Sequence, residues 1–281
     1  TEKNLGSRPS VLKQDSKGNP LQGAVFNIVG LNGDILQENL MSDENGIVES
    51  QQLFYGDYYF EEVNAPKGYW IDSEPVPFSI RNNHEIVEMH HINEAIEARV
   101  KVTKVDADSK KPISDVAFQI FNEKGNAVSY ELNENGQSKT IDTWFTNAEG
   151  VLSTEKPIPY GKYRLVEVNA PESYIKMEPL SFTIDESSNI RKDVVSGDII
   201  DLGQVENERI KGSVVIKKID AETGNPVEAS FRLYDSQGLT LEELSTNNGE
   251  AFIESLEYGE YSVEEIWVEE PYVIDKENNL K

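Results

Sequence analysis

Apolar and polar residues alternate along short segments throughout the chain, and turns rich in glycine, asparagine and aspartate separate these segments. Ala24, Phe26 and Ile28 share one face of such a segment, and an Asn-Gly pair follows within Leu31–Asp34. Alternation with a period of two is typical of a strand with one buried face, and Asn-Gly is typical of a tight hairpin. No helical period stands out. The pattern predicts an all-β protein built from tandem antiparallel β-sandwich domains arranged as an elongated rod.

One twelve-residue pattern recurs three times and divides the chain into repeats. The copies, YYFEEVNAPKGY, YRLVEVNAPESY and YSVEEIWVEEPY, lie at Tyr58–Tyr69, Tyr163–Tyr174 and Tyr261–Tyr272. Each holds a glutamate seven residues before its closing tyrosine, and the period of roughly 100 residues fits one small domain per repeat. We predict domains at 1–96, 97–209 and 210–281. The third is expected to lack its last two strands, which leaves its first strand without a partner.

Composition and charge exclude several classes of function. The 281 residues include 51 acidic and 26 basic side chains, giving a net charge of −25. A phosphate backbone needs a basic stripe, so no nucleic-acid partner is expected. No apolar run approaches the roughly 18 residues of a membrane helix. The chain has no cysteine, which excludes disulfides, thiol catalysis and thioesters.

The repeated pattern, Y-x-L-x-E-x-x-A-P-x-G-Y, resembles the E-box of CnaB-type domains. These are the transthyretin-like β-sandwich modules of Gram-positive pilins and cell-wall-anchored surface adhesins. The copies depart from it at Phe60, which replaces Leu, at Ser173, which replaces Gly, and at Val268 and Glu269, which replace Ala-Pro. The resemblance implies an extracellular, cell-wall-anchored protein whose anchor lies outside this chain. It also implies an intramolecular isopeptide bond between a lysine and an asparagine or aspartate, promoted by the E-box glutamate.

The second repeat carries a full set of residues for that bond. In the family the lysine lies five residues before the aspartate of a K-x-D turn; here that aspartate is Asp106, so the predicted nucleophile is Lys101. The predicted acceptor on the last strand is Asn207, and Glu167 is the E-box acid that promotes the reaction. Lys104 is a rival nucleophile three residues away, so strand alternation places it on the opposite face, and we expect it to face outwards.

The first repeat lacks one member of the set. Glu62 and Asn93 are in register with the acid and acceptor of the second repeat, but Ser10 occupies the predicted lysine position. Lys13 is expected to face outwards. The sequence therefore predicts a vestigial site without a covalent bond.

The third repeat is also predicted to be vestigial. It keeps Glu265, but Val215 occupies the lysine position. Lys217 lies two residues further on the same face and is a candidate substitute. Lys218 is expected to face outwards.

No other constellation points to catalysis or to a cofactor. The only histidines are His84, His90 and His91, and neighbouring strand residues point to opposite faces, so the last two are not expected to bind one metal. There is no Ser-His-Asp set, phosphate loop or zinc spacing. We expect neither metal nor cofactor, and no enzyme activity beyond a single-turnover cross-linking reaction.

Three functions are compatible with this organisation. The first is a structural stalk or pilin-type segment whose partners are neighbouring domains of the same surface protein or pilus. The second is an adhesive module that binds a host matrix protein through exposed aromatic residues, with Trp70, Trp144 and Trp267 as candidates. The third is an accessory domain of an enzyme, which the tandem E-boxes disfavour.

Overall fold

The computed structural model describes residues 6–134, 136–188, 190–191 and 197–274, and every regular element in these ranges is a β-strand. The strands of the first repeat are β1 (Gly6–Ser7), β2 (Ser10–Asp15), β3 (Val25–Gly30), β4 (Ile35–Met41), β5 (Ile47–Glu49), β6 (Leu53–Phe54), β7 (Gly56–Asn64), β8 (Val76–Ile80) and β9 (Glu88–Asn93). Those of the second repeat are β10 (Glu97–Asp106), β11 (Ala117–Asn122), β12 (Tyr130–Glu134), β13 (Gln137–Ile141), β14 (Trp144–Phe145), β15 (Val151–Ser153), β16 (Ile158–Pro159), β17 (Gly161–Asn169), β18 (Leu180–Ile184), β19 (Ile190–Arg191) and β20 (Ile199–Asn207). Those of the third are β21 (Lys211–Lys217), β22 (Ala229–Asp235), β23 (Thr240–Ser245), β24 (Glu250–Glu257) and β25 (Tyr261–Val268). The prediction of an all-β protein is confirmed.

The first two repeats share one two-sheet topology. One sheet has the order β5-β2-β9 in the first repeat and contains β15-β10-β20-β19 in the second. The facing sheet has the order β4-β3-β7-β8 in the first and β14-β11-β17-β18 in the second. Most neighbours are antiparallel, but the first and last strands pair in parallel, β2 with β9 and β10 with β20. This pairing brings the two ends of each repeat side by side.

Each repeat has its own hydrophobic core between its sheets. Phe26 and Phe60 are fully buried in the first, as are Phe118 and Leu165 in the second, while Phe231 belongs to the smaller third cluster. Fully burying a side chain of this size contributes about 2–3 kcal/mol. Three separate clusters give three tandem units, as the repeat period predicts.

The third repeat has an open sheet edge within the part of the chain that the structure describes. There β21 pairs with β24 alone, whereas β2 and β10 each carry a parallel strand on their other side. This agrees with the expectation that the first strand lacks the partner that a closing strand normally provides. The seven residues 275–281 lie outside the described ranges.

Two segments are more regular than their polar composition predicts. The sequence of residues 1–9 is typical of a linker, but Gly6–Ser7 pair with Leu53–Phe54, and 1–5 lie outside the described ranges. The polar composition of residues 131–140 predicts a surface loop. Instead, β12 and β13 form a two-stranded hairpin whose tip contains Gly136 with φ of 78°. Glycine adopts this left-handed conformation without steric cost, which allows the tight turn.

The join between the first two repeats is tied back to the first E-box. The Trp70 amide donates to the Glu94 carbonyl at 2.8 Å, and the Ile96 amide donates to the Gly68 carbonyl at 2.8 Å. Backbone hydrogen bonds on both sides of the linker leave it little freedom to rotate.

The join between the second and third repeats has a similar backbone hydrogen bond and, in addition, an ion pair. The Ile210 amide donates to the Ser173 carbonyl at 2.9 Å. The Arg209 guanidinium bonds the buried Asp106 at 2.7 Å, and the Tyr174 hydroxyl donates to the same carboxylate at 2.9 Å. Short, hydrogen-bonded joins agree with a rod of domains in tandem.

Candidate isopeptide sites

Three lysines occupy the same backbone position in the three repeats. In each, the amide donates to the carbonyl of a turn glycine, at 2.7 Å, 2.7 Å and 2.8 Å: Lys13 to Gly46, Lys104 to Gly150, and Lys218 to Gly249. These lysines, and no others on the first strands, are therefore the structural equivalents to compare.

The second repeat brings a lysine, a glutamate and an asparagine together in its core. The side chain of Lys104 is fully buried, and its Nζ lies 3.4 Å from Oε2 of Glu167. Asn207 is also buried, and its Nδ2 donates to Oε1 of Glu167 at 2.7 Å. The Met177 amide donates to Oε2 at 3.0 Å, which fixes the carboxyl group. Glu167 thus lies between an amine and an amide, as expected for an E-box acid.

Two polar atoms of this cluster make no hydrogen bond of good geometry. They are Nζ of Lys104 and Oδ1 of Asn207. Burial lowers the pKa of Lys104, and the nearby Glu167 carboxyl only partly opposes that shift. Because an apolar setting disfavours the ammonium form, it favours the neutral amine, which is the nucleophilic form.

The expectation that Lys101 faces the interior is wrong. Its side chain is 38% exposed, and its Nζ pairs with Asp201 at 3.0 Å. Val100, Val102 and Lys104 of β10 point inwards; they are spaced two residues apart and therefore share one face of the strand. Alternation does separate Lys101 from Lys104, as predicted, but the two faces were assigned the wrong way round.

The first repeat holds the same triad, contrary to the prediction from Ser10. Lys13 is fully buried and was expected to face outwards; its Nζ lies 3.9 Å from Oε1 of Glu62. It donates hydrogen bonds to Oδ1 of Asn93 and, at 3.2 Å, to the His91 carbonyl. Asn93 Nδ2 donates to Oε1 of Glu62 at 3.0 Å. Ser10 is irrelevant to the site, because the nucleophile position is three residues later.

Burial shifts both charged partners in the first repeat towards neutrality. It lowers the pKa of Lys13 to about 8 and raises the pKa of Glu62. Burial thus moves each group towards its uncharged form, Lys13 towards the free amine and Glu62 towards the carboxylic acid.

The third repeat retains two members of the triad. Lys218 Nζ lies 3.0 Å from Oε1 of Glu265, with the two side chains 27% and 9% exposed. Among the described residues, no strand lies where β9 and β20 present their asparagines. The interpretation of Lys217 as a substitute is wrong, because that side chain is 67% exposed and pairs with Glu250. Val215, at the position predicted for the lysine, is 47% exposed.

A turn glycine is the signal that sequence reasoning missed. A Cβ added to Gly150 would lie 2.4 Å from the Lys104 carbonyl oxygen, and one added to Gly46 would lie 2.3 Å from that of Lys13. Both glycines have positive φ. The turns SDENG and TNAEG therefore mark the strand position at which the buried lysine lies.

Replacing Gly150 with alanine is expected to destabilise the second domain by about 2 kcal/mol or more. The alanine must adopt φ of 71° and also displace the backbone of Lys104. Gly125→Ala is the matched control, since Gly125 has φ of 80° but no atom within 4 Å of the added Cβ. Equal losses of unfolding free energy in denaturant would contradict this role of the contact.

The other candidate residues have different environments. Trp144 is buried, and its Nε1 donates to Glu155 at 3.0 Å. Trp70 packs against the core of the second repeat, and Trp267 is 52% exposed. In the described ranges, no cluster of acidic and histidine side chains has the geometry of a metal site. Nor is any helix there long and apolar enough to cross a membrane.

Comparison with known proteins places the chain in a family. The family described as SpaA, prealbumin-like fold domain, matches residues 8–95, 98–198 and 212–280. The chain belongs to this family of prealbumin-like, that is transthyretin-like, domains. The resemblance inferred from the E-box is confirmed.

Similar proteins come from Gram-positive bacteria. The Bacillus anthracis TIE protein is 28% identical, with a TM-score of 0.70 over 97% of this chain and 47% of that one. The BcpA major pilin subunit of Bacillus cereus has the same fold, with a TM-score of 0.53, 17% identity, and coverage of 98% and 94%. A collagen adhesin of Staphylococcus aureus is 29% identical over 150 residues, which are 50% of this chain and 11% of the adhesin. The chain thus spans about half of the TIE chain and about a ninth of the adhesin.

Proposed function

We propose that this chain is a stalk segment of a Gram-positive surface protein or pilus, extracellular and anchored to the cell wall through parts outside this chain. Its first and second domains each form one isopeptide bond, Lys13 to Asn93 and Lys104 to Asn207. Glu62 and Glu167 promote the two reactions. The proposed domain bounds are 1–96, 97–209 and 210–281. Neighbouring domains of the same surface protein or pilus are the proposed partners.

The proposed reaction needs no cofactor. At the first site the neutral amine of Lys13 attacks Cγ of Asn93, while Glu62, whose pKa burial raises, donates a hydrogen bond in its acid form that polarises the amide. The carboxyl group then carries one proton from Nζ to Nδ2, the Cγ–Nδ2 bond breaks, and ammonia leaves. The new amide joins Nζ to Cγ, Glu62 ends in its starting state, and Lys104, Glu167 and Asn207 take the corresponding roles at the second site. Folding supplies the proximity that an enzyme site would supply.

One observation carries this proposal: a buried amine and a buried amide oxygen, both without hydrogen-bonding partners, adjoin the same carboxyl group. An unsatisfied buried polar group costs about 1–3 kcal/mol. A bond between Nζ and Cγ removes the buried amine altogether. The same three residue types recur in the first domain, where the Asn93 amide likewise donates to Glu62 and the Lys13 amine already donates to the Asn93 amide oxygen.

The position of the bond suits a protein under tension. Lys104 lies on the first strand of its domain and Asn207 at the end of the last, and these strands are parallel neighbours. Tension that enters through β10 can leave through the bond at Asn207. The segment between the two anchors then carries no tension and need not unfold.

Peptide mapping tests the proposal directly. Proteolysis of the folded, then denatured chain should yield two branched peptides, one joining the β2 and β9 segments and one joining β10 and β20. Each should be about 17 Da lighter than its two parts, because one ammonia is lost. Recovery of all four segments as linear peptides would overturn the proposal.

Blocking the bond in the first domain should reveal the titration of its lysine. Asn93→Ala keeps Lys13 as an amine whose folded-state pKa of about 8 lies below the unfolded value of 10.5. The unfolded chain then binds more protons between these values, so stability should rise by roughly 2–3 kcal/mol from about pH 8 to pH 10.5. Adding Lys13→Met should abolish that rise, which isolates it from other titrating groups. Equal pH dependence in the single and double variants, measured by denaturant unfolding, would contradict the assignment.

A second candidate function is direct adhesion to a host matrix protein. It is favoured by the 29% identity with the collagen adhesin and by the exposed ring of Trp267. Binding to immobilised collagen that is lost in Trp267→Ala would support it, whereas absence of binding would favour the stalk alone.

A further inference from the structure

The first site has a buried imidazole beside its lysine, and the second site does not. His91 is 3% exposed and lies on β9, opposite Lys13 in the parallel pairing with β2. Val205 is opposite Lys104 in the second domain, so it occupies the equivalent position. Both domains hold the same three residue types, and in both the asparagine amide donates to the glutamate, so the second domain serves as a control for the role of this histidine.

A carboxylate accompanies the imidazole. Oδ2 of Asp72 lies 3.8 Å from Nε2 of His91, and the Asp72 amide donates to Oε2 of Glu62 at 3.0 Å. In the second domain Met177 makes that same amide contact to Glu167. One domain therefore has an aspartate and a histidine where the other has a methionine and a valine.

The surroundings of His91 disfavour its charged form. Its ring packs edge-on against Phe26, with centroids 5.2 Å apart, and neither ring nitrogen has a hydrogen-bonding partner of good geometry. The charged groups around it are Lys13 from β2, Glu62 from β7 and Asp72 from the segment after the E-box. Burial lowers the pKa of His91, Lys13 lowers it further, and Asp72 opposes both.

We propose that His91, which lies beside Asp72, is a positioning residue for the first site. Cross-linking there depends on whether its imidazole is protonated, and cross-linking at the second site has no such dependence. This inference rests on the proposed isopeptide chemistry. An imidazolium beside the triad would favour the anionic form of Glu62, and a carboxylate cannot polarise the Asn93 amide as the acid does. It would also place a charge in the core before the bond has formed, which the half-exposed Asp72 carboxylate compensates only in part.

Protonation of His91 slows cross-linking through both Glu62 and the stability of the unlinked domain. A buried base with a lowered folded-state pKa contributes stability above its unfolded value near 6.5, and that stability is lost as the pH falls. The unlinked first domain should therefore be less populated, and less reactive, in acid. The amide bond itself does not titrate, so pH affects the rate at which the bond forms and not the bond once it has formed.

The test follows both bonds in one chain. The full-length chain is recovered from inclusion bodies in denaturant, its unlinked state is verified by intact mass, and it is diluted into buffers from about pH 5 to pH 7.5. Acid-quenched samples are digested, and the two branched peptides are quantified by mass spectrometry. The rate at the first site, divided by the rate at the second, should fall as the pH is lowered from about 7.5 to about 5. His91→Val, which supplies the residue of the second domain, should make that ratio constant.

A second variant keeps the histidine. Asp72→Asn removes the carboxylate that favours the imidazolium, so the inflection should move to lower pH; this outcome also decides the matter if His91→Val does not fold. A constant ratio in the parent chain, or an unchanged inflection in both variants, would overturn the inference while leaving the isopeptide bonds intact. Failure of both bonds at every pH would overturn the proposed function and, with it, this inference.

Discussion

Replacing Lys104 with methionine is expected to halve the mass deficit of the folded chain and to destabilise its second domain strongly. Two proposed bonds give a deficit of about 34 Da against the mass calculated from the sequence, and one gives about 17 Da. If the cross-link is treated like a disulfide, closing a loop of about 100 residues stabilises the folded domain by roughly 4.7 kcal/mol, because it lowers the conformational entropy of the unfolded chain. Methionine retains most of the buried volume, so the loss reports the bond more than a cavity.

Lys101→Met is the matched control for this substitution. Lys101 lies on the same strand, but its exposed ion pair with Asp201 is worth at most about 1 kcal/mol. The control should keep the full deficit and nearly all of the thermal stability. If the control lost 17 Da of deficit and Lys104→Met did not, the original assignment of Lys101 would be correct and the geometric one wrong.

Stretching a single chain should release almost no length from its first two domains. With both bonds in place, the segments between the anchor residues cannot extend. In Lys104→Met the second domain should release the 103 residues between positions 104 and 207, which is roughly 35 nm at 3.3–3.6 Å per residue. In Lys13→Met the first should release the 80 residues between 13 and 93, which is roughly 28 nm.

The two lengths identify which domain has opened, so each variant acts as a control for the other. Force spectroscopy of the parent chain should show neither step. A step of roughly 35 nm in the parent, at forces that open ordinary sandwich domains, would mean that no covalent bond bypasses the second domain.

The acid and the acceptor of each site could be predicted from the sequence, but the lysine was assigned wrongly. Glu167 followed from a repeated motif whose register is fixed by several residues, and Asn207 followed from its place on the predicted last strand. The lysine was counted back from Asp106 by a spacing taken from the family. The alternation of Val100 and Val102 already indicates which face of β10 is buried, and Lys104 continues it. Local hydrophobic periodicity was the stronger physical signal, because one residue of error in a strand reverses every side chain.

Other features depend on long-range pairing that no local pattern reveals. Whether His91 lies beside Lys13 is decided by the parallel register of β2 with β9, strands separated by more than 70 residues. The hairpin at β12 and β13 was missed because its composition is polar, and its two strands are stabilised by pairing with each other rather than by a buried face. The fold class, by contrast, follows from alternation and turn residues, which are local.

The intact mass of the folded chain, measured after denaturation, shows whether the two isopeptide bonds form. We expect a deficit of about 34 Da relative to the sequence, one ammonia from each of the first two domains. The deficit should be about 17 Da in either Lys13→Met or Lys104→Met, and zero in the double variant. A parent chain with its full calculated mass would show that neither bond forms.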